Sequence, residues 1–248
     1  MTLASTNSSQ PSFEHAAFPI GFGFVAGFVD LFGFMAWFGL LAAHVTGNLI
    51  FLAYDITRGE YALVMKLAAL PVFAASVAAS AWFIGTISAR GRHPFLPSII
   101  LQAASLGACL VAGLLLPPPH GPDDTAVLVA GSIALFAMAL QNTIMRLILN
   151  NLPPTTVMTG NITHITAETV QLVARFGTAP TPARDAALSH RAKQVALTLG
   201  GFTVGAIAGG LAQLDVGYPG LLLPIAVLLG LLPFGRAALR AAARFGDD

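Results

Sequence analysis

The chain has 248 residues, of which 56% are hydrophobic and only 9% charged, with a mean hydropathy of +0.77 and a formal net charge of +1. A soluble domain of this size keeps its surface wet with about 25% charged residues, so this composition excludes one and points to a lipid solvent. The near-neutral balance holds no long basic run able to follow a phosphate backbone, which argues against nucleic acid as a partner.

Residues 1–17 read as a disordered tail, residues 18–240 as a single transmembrane domain and residues 241–248 as a C-terminal tail. Crossing about 30 Å of hydrocarbon takes roughly 20 helical residues. Apolar runs of that length predict an all-α polytopic bundle of six spans, near 18–42, 62–88, 96–116, 125–149, 193–213 and 219–238. The first run does not read as a signal peptide, because no Lys or Arg precedes it and Asp30 sits in its middle. A carboxylate at bilayer depth costs about 2.5 to 3.5 kcal/mol, so Asp30 is expected to face the bundle interior. Desolvation there favours the uncharged acid, a group able to carry a proton or hold a cation.

The first span closes on "HVTGN", residues 44–48, and Thr46, Gly47 and Asn48 interrupt an apolar stretch. Glycine breaks the helix, Thr and Asn are good N-caps, and the piece that follows is too short to cross. Irregular backbone at membrane depth survives only inside protein or against a wet cavity. A short helix, re-entrant or interfacial, is therefore expected to start here, with unpaired N–H groups and a partial positive charge suited to an anion or polar solute. A capped turn without a ligand is the plain alternative.

Cys109 lies in the third span and reads as a small packing residue, since a lone cysteine forms no disulfide within its chain. The fourth span carries Gln141, Asn142 and Thr143 in "MALQNTIM". These groups line a polar site or merely hydrogen-bond between helices, which is worth about 0.6 to 2 kcal/mol each. "VMTGN" then repeats the interruption at Thr159, Gly160 and Asn161 and is followed by a second short semi-apolar piece. His44 and His164 flank the two interruptions as histidines able to titrate, but one beside each falls short of a metal site. Glu168, seven positions before Arg175, fits a solvated amphipathic face. Gly201, Gly205 and Gly209 in the fifth span, and Gly23 and Gly27 in the first, recur every four residues. They let a helix approach closely, either within the chain or in a second copy as a homo-oligomer. Arg236, Arg240 and Arg244 share a face suited to anionic lipid headgroups.

Thr46 and Thr159 are 113 positions apart, and each closes a long span, precedes a short piece and is followed by two more spans. Residues 18–116 and 125–238 thus read as two repeats of three spans, and an odd number of crossings inverts the second half. Lys and Arg are retained on the cytoplasmic side during insertion. With both termini inside, that side receives ten of the twelve basic residues, leaving Arg58 and Lys66 outside.

"GFVDLFGF", "AAHVTGNLIFLA", "MALQNTIMR" and "VMTGNITHIT", in this order, resemble the YoaK-type family of small bacterial inner-membrane proteins, a domain of unknown function. The resemblance spans residues 18–240 and implies a bacterial inner-membrane location, with Asp30, Thr46, Gly47, Asn48, Gln141, Asn142, Thr159, Gly160 and Asn161 as signature positions. It implies no substrate. From the residues themselves, a small secondary transporter is expected, with these nine residues binding a polar or anionic solute and Asp30 coupling it to protons. No catalytic motif, cofactor loop or metal cluster is evident, so an enzyme is not expected. A non-transporting scaffold or partner subunit is the alternative, and a channel is less favoured without a ring of charges.

Overall fold

The computed structural model describes residues 14–59, 64–174 and 182–244. Most of the N-terminal tail, residues 1–13, lies outside the described residues, as do Arg175 and residues 245–248. Among the described residues there are eight α-helices: α1 (Glu14–Ala36), α2 (Gly47–Arg58), α3 (Val64–Ala89), α4 (Phe95–Leu115), α5 (Thr125–Leu147), α6 (Met158–Val173), α7 (Pro182–Asp215) and α8 (Leu222–Arg244). Six of them are long and apolar enough to cross a membrane, namely α1, α3, α4, α5, α7 and α8. A short 3-10 turn, Tyr218–Leu221, leads into α8.

Helix α1 begins at Glu14, inside the expected disordered tail, and α8 runs on to Arg244, past the expected 238; two further boundaries differ with a visible cause. The first span stops at Ala36 and not at residue 42, because Phe38 and Gly39 take left-handed backbone, with φ of 50° and 87°. Glycine accepts that conformation without cost, and the turn closes when Gly39 donates its N–H to the Phe34 carbonyl at 2.8 Å. Trp37 folds back over Gly33 and donates its indole N–H to Tyr218 at 3.0 Å, which ties this turn to the start of α8. The fifth span is longer than expected: α7 runs for 34 residues, about 50 Å, because its charged first turns simply continue the apolar helix.

The most buried spans are α1 and α5. The former packs along α7 and against α8, and the latter against α3 and α4; α4 also meets α8, α2 lies on α3, and α6 lies on α7. Exchanging α1 with α5, α2 with α6, α3 with α7 and α4 with α8 turns each of these pairs into another of the set. The closest contact is α1 on α7, and glycine makes it. A Cβ at Gly27 would lie 2.0 Å from the Phe202 carbonyl oxygen, and one at Gly205 only 2.1 Å from that of Phe24. Gly23, Gly201 and Gly209 are equally tight against facing backbone. Both four-residue glycine series are thus spent on each other inside the chain. Phe22, Phe28 and Phe32, fully buried along α1, fill the space beside this seam.

A buried ion pair between Asp55 and Lys66 fastens α2 to α3. In α6 the acid Glu168 pairs instead with His164 of its own helix, at 3.2 Å. No residue of Met158–Gln171 is buried.

Gly27→Leu or Gly205→Leu is expected to push α1 off α7 and cost about 3 kcal/mol or more, because neither backbone can yield. Gly200→Ala, which meets nothing within 4 Å, should be neutral or slightly stabilising. Melting temperature and monodispersity in detergent separate the two; equal behaviour of all three variants would contradict the packing described.

Candidate functional site

After Ala36 the chain folds back along α1. Ala43 donates its backbone N–H to Asp30 Oδ1 at 2.7 Å and His44 does so at 3.4 Å, while His44 Nδ1 lies 2.5 Å from Asp30 Oδ2. Asp30 is six residues before the end of α1, so the returning strand of loop reaches about 9 Å down the helix. Had the chain continued as helix, these N–H groups would have bonded to carbonyls four residues back. Out of the helix and inside the bundle they need another acceptor, and the carboxylate supplies it. Asp30 is itself 4% exposed.

The second half repeats the geometry with neutral groups. Thr156 donates its hydroxyl to Asn142 Oδ1 at 2.6 Å, and its sequence separation of 14 is the same as that between Asp30 and His44. The asparagines of the two Thr-Gly-Asn sites also match. Asn48 accepts the Leu41 N–H and donates to the Leu41 carbonyl, both at 2.8 Å; Asn161 donates to the Pro154 carbonyl at 2.9 Å, again seven positions back. Asn142, and not Thr143, therefore stands where Asp30 stands. Asn142 and Asn161 are one position further apart than Asp30 and Asn48, which a fixed offset of 113 does not register.

The helix-terminus expectation does not hold at α2. Gly47, Asn48 and Leu49 donate their N–H groups to His44, Val45 and Thr46 at 2.9 to 3.2 Å, so the first turn is already paired. Thr46 makes no side-chain capping bond, and Asn48 stitches the returning loop instead of capping the helix. At α6, Thr159, Gly160 and Asn161 fall inside the first turn and not before it.

Between the two returning loops lies a cavity of about 780 Å³. Its polar lining is His44 and Thr46 from the first loop, Asn142 and Arg146 from α5, and Asn150 and Thr156 from the second loop. Leu70 and Phe73 of α3 close one apolar side. None of its lining residues is acidic, so Arg146 faces it as an uncancelled cation. Asp30 sits one bond behind: its partner His44 is a lining residue, with a side chain 25% exposed and packed edge-on against Phe202 of α7.

Of the nine residues expected at the site, Thr46 and Asn142 line the cavity and Asp30 reaches it through His44. Gln141 is fully buried beside it, bonded to Gln102 at 2.7 Å and to the Phe22 carbonyl at 2.9 Å. Gly47, Asn48, Thr159, Gly160 and Asn161 are not among its lining residues. Sequence reasoning passed over Arg146, counted only for orientation, and Thr156. The available signal was spacing: Arg146 is four residues after Asn142, one turn further along the same helical face.

Asn48→Ala removes both bonds to the Leu41 backbone in a buried place and is expected to cost about 2 to 3 kcal/mol. Asn161→Ala removes one bond from a half-buried side chain and should cost about 1 kcal/mol. Thermal unfolding in one detergent ranks them, and a reversed order would refute the clamp assigned to Asn48.

No curated protein and no solved structure matches the chain. A family model does, that of a protein of unknown function (DUF1275), over residues 19–233. That match takes in all six spans and both returning loops, and the chain belongs to this family.

Proposed function

We propose that this integral membrane protein is a small secondary transporter of a polar or anionic solute, coupled to proton movement, in a bacterial inner membrane with both termini cytoplasmic. The reading rests above all on one observation. A cavity of about 780 Å³ between two returning loops presents Arg146, His44 and several neutral hydrogen-bonding groups without a carboxylate in its lining. A volume of this order suits a small metabolite. The pairing pattern of the helices supports two inverted halves with the solute held at their junction, the arrangement expected of alternating access.

Proton coupling follows from charge. The Asp30 and His44 side chains together carry one negative charge when they share no added proton, and none when they do. A proton on the pair thus removes a negative charge beside the Arg146 cavity and favours an anion there. Phe202 of α7 packs edge-on against His44, and the α3 residues that line the same cavity, Leu70 and Phe73, are apolar. Arg146 stays charged throughout.

A specific observation favours a second reading, a scaffold or partner subunit. Gln141, Asn48 and Asn161 spend their amides on packing and loop closure. On that reading the Asp30 contacts are structural as well, and the cavity does no work.

Two measurements separate them. Thr46→Cys and Thr156→Cys should react with a membrane-impermeant thiol reagent from one side only, against the silent background of buried Cys109. A thermal-shift screen of small anions and neutral polar metabolites at pH 5.5 and 7.5 should find a ligand that stabilises more at the lower pH. Asp30→Asn, which removes the carboxylate behind His44, is expected to bind an anion more tightly than the wild type at pH 7.5, and Arg146→Gln about tenfold more weakly. Unreactive cysteines together with no stabilising solute would favour the scaffold.

A further inference from the structure

A second cavity, of about 370 Å³, lies between the loop after α5 and the first half of α7. It is lined by Asn150 and Asn151 from the loop and by His190, Arg191 and Gln194 from successive turns of α7. Gln194 is buried, and its Nε2 lies 3.0 Å from His190 Nε2, so this corner of the cavity is fixed by internal bonding. Arg191 is exposed. As in the larger cavity, the lining joins an arginine, a histidine and amides and includes no acid.

The two spaces are not independent. Asn150, Leu152 and Pro154 line both, so one short stretch of loop forms their common wall. The amide residue Asn150 lines the cavity that holds Arg191 and the one that holds Arg146. We infer that the smaller cavity is a second station for the solute, binding a carboxylate or phosphate group at Arg191 and delivering it past Asn150 to the larger cavity. The delivery role rests on the transport reading above; binding at Arg191 does not. A pocket with an exposed arginine also suits the phosphate of an anionic lipid, and the chemistry of the bound group is the same.

The test reads each arginine separately. Purified protein in detergent is treated with phenylglyoxal, which modifies arginine, with and without succinate or inorganic phosphate at constant ionic strength. Peptide mass spectrometry then gives the modification rate of Arg191, Arg146 and, as a control near the far end of α2, Arg58. Either anion should slow modification of Arg191 at least threefold and leave Arg58 unchanged, and the protection should persist in Arg146→Gln. Asn150→Leu, altering the wall that both cavities share, should weaken protection of Arg191 and Arg146 together and leave Arg58 unchanged.

Protection of Arg146 alone would overturn the second station and leave the transport reading standing. Protection of Arg191 alone would keep the anion site but remove delivery to the larger cavity. Protection of neither overturns both. In a parallel arm with phosphatidylglycerol added, protection of Arg191 by the lipid and not by the free anions would assign the pocket to a headgroup and overturn delivery.

Discussion

Everything distinctive about this bundle depends on the carboxylate of Asp30 accepting the backbone N–H groups of Ala43 and His44. A chain that abandons its helix inside a membrane exposes donors that neither lipid nor neighbouring side chains of Leu or Phe can satisfy. The carboxyl group in the middle of an apolar span is the acceptor that makes the returning loop possible. Its removal from water is offset by three contacts made in one place: two amides and an imidazole. The same contacts bring His44 to the cavity, so the group that permits the fold also sets the chemistry of the site.

The second half solves the same backbone problem without a charge. Asn142 and Thr156 occupy corresponding positions, and Asn161 repeats part of what Asn48 does. Two halves with similar loop closures thus meet across one space, one contributing an ionisable pair and the other an arginine and neutral donors. A solute held between them would touch chemically different walls.

Much of the fold was legible in the sequence because a helix that crosses lipid must be long and apolar, and that length is written directly in the chain. Spans α3, α4 and α5 lie within two residues of their expected bounds. The end of α1 was harder to read, since hydropathy runs on smoothly through "WFGLL" while a left-handed turn at Phe38 and Gly39 has already reversed the chain. Hydropathy reports the solvent and says nothing of direction. The Thr-Gly-Asn interruptions do not themselves break the long spans, which end earlier, at Ala36 and Leu147; they sit at the starts of α2 and α6, where the asparagine amide holds the loop and, at α2, tight turns pair the helix start. The ion pair between Asp55 and Lys66 escaped notice because eleven positions and a helix boundary separate its members.

That ion pair distributes stiffness unequally. With α2 clamped to α3 by opposite charges in a buried place, the first half behaves as one solid block, since separating the pair would strand a charge in an apolar setting. Among the described residues α6 has no such ion pair to its neighbour α7; its acid is satisfied within its own turn and none of Met158–Gln171 is buried. In mechanical terms α6 is the looser arm, while the second returning loop is anchored to α5 through Thr156 on Asn142 and Thr155 beside Gln141. Displacing α6 would therefore leave both returning loops, and the cavity between them, in place.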